Sequence, residues 1–151
     1  MRTVFVFPET DLASVRQRIT DLARQGQDDR WVVDVGGAPE DAPALYVSID
    51  ATADDVAPLF SDWEPSAVEH LTASLGHRPD WAVVCDVSGR IPGDEEIRAF
   101  VLELLAEGGV AMDDYSDHCW TAAEIAEDRA ADGLRFFDYR TSFERSREPG
   151  P

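Results

Sequence analysis

The strongest constraint on the fold is a repeated switch between short apolar runs and stretches with helical periodicity. The clearest case begins at Trp81–Ser88, a mostly apolar run of strand length. After the turn-rich residues 89–93, apolar side chains recur at helical spacing on one face. They are Ile97, Phe100, Val101, Leu104 and Leu105. Gly108 and Gly109 end this helix, and Val110–Asp113 is predicted to be the next strand.

The same patterns recur along the chain and predict the order β-α-β-β-α-α-β-α-β-α-β. The other strands are expected at Thr3–Phe7, Trp31–Val35, Ala44–Asp50 and Leu134–Tyr139. The first helix begins after Thr10 and buries one face made of Leu12, Val15, Ile19 and Leu22. Short helices are expected after Thr52, after Ser66 and after Thr121, where Thr121 and Glu124 form a capping box and the helix runs to about Ala131.

This order predicts one α+β domain over residues 1–143, with residues 144–151 as a frayed C-terminal tail. We expect a mixed β-sheet with helices mainly on one face. The opening β-α-β-β-α-β stretch suits a split β-α-β, ferredoxin-like sandwich. A chain of 151 residues is long enough to bury a core of this kind.

Charge excludes several kinds of partner. The chain has 31 acidic residues against 13 basic ones, all Arg, for a net charge of −18. Such a surface does not suit a phosphate backbone or an anionic membrane. No apolar run approaches the roughly 18 residues of a membrane span, and the N-terminus is too short in apolar residues for a signal peptide. Two cysteines make no disulfide framework, so we expect a cytoplasmic protein.

The residues richest in reactive groups are Asp113–Trp120, which hold three aspartates, His118 and Cys119. The EF-hand pattern is missing, and an adjacent His and Cys do not have zinc-ligand spacing. Neighbouring carboxylates would also disfavour a thiolate at Cys119. We therefore predict no enzyme, no metal and no cofactor. The alternative left open is a small-ligand or metal-binding module, possibly an enzyme, that uses this His118/Cys119 loop.

The distribution of charge is more informative than its total. Residues 91–134 hold 12 acids and two Arg, which is −10 of the −18. A field of this kind steers a basic partner. We predict a non-catalytic protein that captures a basic protein, with its oligomeric state left open. The predicted contact residues are Glu95, Glu96, Asp113, Asp114, Tyr115, Asp117 and Trp120.

About a third of the chain resembles small acidic immunity-type proteins that are encoded beside bacterial toxins. The resemblance lies in Leu104–Val110 with Asp113 and Asp114, in the helix start His118–Ile125, and in the late aromatic run Phe136–Tyr139. It implies that the protein neutralises a toxin by covering it, without catalysis. Immunity proteins share no single fold or motif, so the resemblance assigns no functional residue.

Overall fold

The computed structural model describes residues 2–35, 43–53 and 58–147. Its strands are β1 Arg2–Pro8, β2 Arg24–Gln25, β3 Trp31–Asp34, β4 Pro43–Ala51, β5 Trp81–Val87, β6 Gly109–Asp113, β7 Ala130–Ala131 and β8 Leu134–Arg135. Its helices are α1 Leu12–Leu22, α2 Pro65–Leu75, α3 Asp94–Leu104, α4 Ala122–Ala126 and α5 Tyr139–Arg147.

Six strands form one sheet in the order β2-β3-β4-β5-β1-β6, and β7 and β8 form a separate hairpin. The α+β class is confirmed. The expectation of a mixed sheet is wrong, because every pairing between the described strands is antiparallel. Strands β5 and β6 run parallel to each other but do not pair, since β1 lies between them.

The segment β5-α3-β6 is therefore a split β-α-β unit with β1 inserted. The four strands β4-β5-β1-β6 have the order and directions of a ferredoxin-like sheet. That topology was expected from the opening elements. The structure instead builds it from β1, α1, β4, β5, α3 and β6, with β2 and β3 added at the edge.

Both faces of the sheet are covered. Alternate residues of each strand point to opposite faces, so one strand contributes to two cores. Val4 and Val6 join the larger core, which contains residues of α1, α3 and α4. Phe7, with Phe5 partly buried beside it, belongs to a smaller core that includes residues of α2. Helices thus lie mainly on one face, as expected, and α2 serves the other.

Local capping signals set several helix boundaries. The capping box of Thr121 and Glu124 is present, although α4 ends at Ala126 and is shorter than predicted. Helix α1 is capped by Asp11, whose carboxylate accepts a hydrogen bond from the Ser14 amide, and not by Thr10. Leu22, placed on the buried face by its spacing, ends α1 with 38% of its surface exposed.

The C-terminal prediction needs correction. The strand expected at Leu134–Tyr139 stops at Arg135, because Phe137 has a left-handed backbone with φ of 57° that a strand does not accommodate. Helix α5 follows and continues to Arg147, so residues 144–147, which the sequence assigns to the C-terminal tail, are helical. Residues 148–151 lie outside the described part, as do residues 54–57 of the helix expected after Thr52.

Candidate protein-binding surface

The predicted contact residues do not lie together in the structure. Glu95 and Glu96 lie in the first turn of α3, whereas residues 113–120 follow from the end of β6. The two groups line different cavities. The structure therefore divides the single acidic surface that the sequence suggested.

Trp120 lies in the core. Its side chain is fully buried, and its backbone forms two hydrogen bonds of 2.8 Å with Ala111, which extend the pairing at the β6 edge. The indole packs against the His118 ring, with centroids 4.3 Å apart, and against Phe136. This burial does not fit the predicted role of Trp120 as an aromatic anchor for a partner.

Asp113 is also an internal residue, with 8% of its surface exposed. Its carboxylate accepts hydrogen bonds from the Phe137 amide at 2.7 Å and the Tyr115 amide at 3.0 Å. Burial raises the pKa of Asp113, although these backbone hydrogen bonds favour the charged form. Asp113 therefore holds the Phe137 turn against β6, and little of its side chain is exposed to solvent.

Asp114 and Asp117 are exposed and line a common cavity of about 210 Å³. Asp114 accepts a hydrogen bond of 2.8 Å from the Thr3 amide, which holds its carboxylate beside β1. Asp62 and Glu64, which precede α2, complete an acidic rim. We call this cavity the acidic cavity: its exposed rim is Asp62, Glu64, Asp114 and Asp117, and its apolar lining is Phe5, Trp63 and Met112. The buried Asp113 borders the same cavity.

Aromatic packing holds Trp63 in place at this cavity. Its ring makes edge contacts with Phe5 and Phe60 at centroid distances of 5.0 and 4.9 Å, and with Phe7 at 6.1 Å. Trp63 itself is only partly buried. The acidic cavity therefore combines a rigid aromatic surface with four exposed carboxylates, and its described lining residues include no Arg, Lys or His.

Asp62, Trp63 and Glu64 were not predicted from the sequence. A usable signal exists, because an aromatic residue stands between two acids immediately before Pro65, the first residue of α2. Proline favours this first helical position, so the aromatic and both acids can be placed at a helix entrance. Their meeting with Phe5 and Met112 depends on the sheet and has no local signal.

Tyr115 takes a third position. It is partly buried, and its ring lies 5.9 Å from that of Phe137 in an edge contact. Burial raises the pKa of Tyr115 to about 12. Its ring lines a depression together with Tyr139 and Phe143 of α5, which shares no lining residue with the acidic cavity.

The His118/Cys119 loop stabilises the start of α4. His118 Nε2 lies 3.0 Å from Glu124 Oε2, and Glu124 also accepts a hydrogen bond from the Thr121 amide. Cys119 is buried, and burial raises its pKa. In the described part of the chain, no group of three or more His, Cys, Asp or Glu side chains could hold a metal ion.

No protein-family model matches the chain, and no curated protein or solved structure matches it either. Within residues 2–35, 43–53 and 58–147, none of the helices has the length and apolar character needed to cross a membrane.

Proposed function

We propose that the protein binds a basic protein partner and that the acidic cavity receives an Arg or Lys side chain of that partner. The observation that carries this proposal is the pairing of four exposed carboxylates with the partly exposed ring of Trp63 in one cavity. Carboxylates attract the cation, and the aromatic ring adds a cation–π contact when the cation lies over its face. No part of this mechanism requires a catalytic group.

Long-range electrostatics support the same partner. A chain with a net charge of −18 attracts a basic protein from a distance, so association is fast at low ionic strength and slows as salt is added. The acidic cavity adds a specific contact to this general attraction. Because Asp114 is held by the Thr3 amide, less side-chain entropy is lost when the partner binds.

The partner class we propose is a basic toxin, which the protein would neutralise in the cytoplasm by covering its surface. The acidity of the chain and the resemblance to immunity-type proteins support this choice. A toxin that acts on nucleic acid needs a basic surface for the phosphates, and clustered carboxylates complement that surface.

The test uses two triple variants that change the net charge equally. The cavity variant carries Asp62→Asn, Asp114→Asn and Asp117→Asn. The control variant carries Asp21→Asn, Asp28→Asn and Asp29→Asn, all at exposed positions outside the acidic cavity. Asn suits Asp28 and Asp29, because both have positive φ. The probe is nona-arginine, titrated calorimetrically at low and moderate salt.

We expect the cavity variant to weaken binding roughly tenfold, since three partly screened ion pairs are lost, and to reduce the salt dependence. The control variant should change the affinity by no more than about twofold, because its charges act only at long range. Equal weakening by the two variants would show that only total charge matters and would reject the cavity as the site.

A further inference from the structure

A second groove lies between α1, β3 and α3, on the opposite side of the sheet from the aromatic cluster of Trp63. Its volume is about 440 Å³. The apolar surface is made by Leu22 at the end of α1, Val33 of β3, and Ala99 and Phe100 of α3. We call this cavity the α3 groove.

Leu22 makes this groove unusual. It is one of two large apolar side chains in the described residues that are exposed, with 38% of its surface accessible. The helical spacing of α1 would place it in the core beside Ile19, which is fully buried. An exposed leucine over a groove that reaches Phe100 provides apolar surface for another molecule to cover.

The charges around the α3 groove are uneven. Asp34 is paired with Arg24 at 2.8 Å, and Glu103 with Arg18 at 3.3 Å. Glu95 and Glu96 also line the groove, and neither forms an ion pair or hydrogen bond with another described residue. The groove carboxylates that form no ion pair with a described residue therefore lie at the end of the groove formed by the first turn of α3.

We infer that the α3 groove docks a short, basic, amphipathic segment of the protein partner. One large apolar side chain of that segment packs between Leu22 and Phe100, and adjacent Arg or Lys side chains pair with Glu95 and Glu96. This inference rests on the proposed function in one respect, namely that the partner is basic. An amphipathic helix set in an apolar groove is a recurrent mode of recognition.

Charge complementarity favours this occupant over a second copy of the chain. A symmetric dimer formed through the α3 groove would bury the same patch of both subunits, so Glu95 and Glu96 of each copy would bring four carboxylates into one interface. The repulsion would act between two chains that each carry a charge of −18. A basic segment instead neutralises the two glutamates while it covers Leu22.

The experiment compares two peptides of 18 residues that contain only Leu and Lys in equal numbers. In the first, Leu recurs with helical spacing on one face; in the second, the same residues are scrambled. Fluorescence anisotropy of the labelled peptides measures their affinity for the whole protein. The blocking variant is Ala99→Gln, which adds a larger side chain at an exposed position of the groove, and the control is Ala73→Gln, exposed on α2.

The amphipathic peptide should bind at least about tenfold more tightly than the scrambled peptide, since only its helix presents Leu side chains together on one face, where they can cover the groove while Lys side chains flank them. Ala99→Gln and a second variant, Leu22→Ser, should abolish this preference, whereas Ala73→Gln should preserve it. Far-ultraviolet circular dichroism checks that all variants keep their helices.

Three results would overturn the inference. The two peptides could bind equally, the preference could survive Ala99→Gln, or sedimentation could reveal a dimer of the protein alone that Ala99→Gln disrupts. A different result would reject the proposed function without rejecting this inference. If the cavity variant binds nona-arginine as the control variant does, while the peptide preference still depends on Ala99, the acidic cavity is rejected and the α3 groove is retained.

Discussion

Two acidic stretches, residues 94–96 and residues 113–117, look alike in the sequence and differ in the folded chain. In the first, Glu95 and Glu96 remain without a described partner and line the α3 groove. In the second, Asp113 is buried and accepts two backbone hydrogen bonds, while Asp114 and Asp117 line the acidic cavity. The comparison shows that adjacent carboxylates can have opposite roles when a strand ends between them.

Secondary structure explains the difference. Residues 94–96 open a helix, where carboxylates are favoured by the helix dipole; Glu95 is exposed, and Asp94 and Glu96 are partly buried. Asp113 is the last residue of β6, and side chains alternate across a strand, so Asp113 shares the core side with Ala111. Asp114 lies beyond the strand and returns to the surface.

The largest effect should come from Trp120→Ala. If residues 113–120 are a structural segment, removing this fully buried side chain leaves a cavity and lowers the free energy of unfolding by about 3–5 kcal/mol. Urea denaturation measures the loss. The matched control is Trp63→Ala, whose side chain is only partly buried, so its loss should be clearly smaller. Equal losses would contradict the distinction between core and cavity.

Local patterns predicted much of the fold. The strand at residues 81–87, helix α3 and the strand at residues 109–113 follow from periodicity and glycine positions, and the capping box at Thr121 follows from its own four residues. The insertion of β1 between β5 and β6 could not be predicted in this way. It depends on pairing between residues more than 70 positions apart, such as Val4 and Cys85.

The candidate site was predicted only in part, for a similar reason. Asp114 and Asp117 were named from local acidity, but the acidic cavity also needs Phe5 of β1 and Trp63 before α2. The burial of Asp113 depends on where β6 ends and on the left-handed turn at Phe137. These are tertiary features, and residue type alone does not report them.

Removing the carboxylate of Asp113 should have the next largest effect. Asp113→Ala leaves the amides of Phe137 and Tyr115 without their acceptor, and an unsatisfied buried donor costs roughly 1–3 kcal/mol. Asp114→Ala loses only a hydrogen bond from the exposed Thr3 amide, so its cost should be well below that. Thermal denaturation of the two variants under identical conditions compares them, and similar losses would remove the contrast between these neighbours.

The pH dependence of the free energy of unfolding should distinguish the buried carboxylate of Asp113 from more exposed carboxylates. Because the pKa of Asp113 is raised in the folded state, the folded chain binds a proton more readily than the unfolded chain. The contribution of Asp113 to the free energy of unfolding therefore decreases as pH rises from the unfolded value, about 3.9, through the raised one. In Asp113→Asn this contribution is absent, so acidification through that window should cost the variant more stability than it costs the parent protein.

Glu124 provides the control of opposite sign. Its pKa is lowered, because hydrogen bonds from Thr121 and His118 outweigh burial, which acts to raise it. Its stabilising contribution is present above the unfolded value, about 4.3, and is lost as pH falls through the folded one. Glu124→Gln should therefore reduce the loss of stability that accompanies acidification. Urea midpoints measured from pH 3 to 7 would show this smaller loss. A shift of both variants in the same direction would contradict these assignments.

The smallest effect on stability should come from Glu95→Gln with Glu96→Gln. These side chains contribute only their interaction with the N-terminal dipole of α3, which is worth roughly 0.3–1 kcal/mol per charge and is screened by salt. Urea denaturation at moderate salt should therefore show a loss near the lower end of that range. The same double variant should lose most of the preference for the amphipathic peptide, because the paired cations would have no counterions. A large loss of stability would instead show that Glu95 and Glu96 have a structural role, as Asp113 does. The two acidic stretches would then not differ.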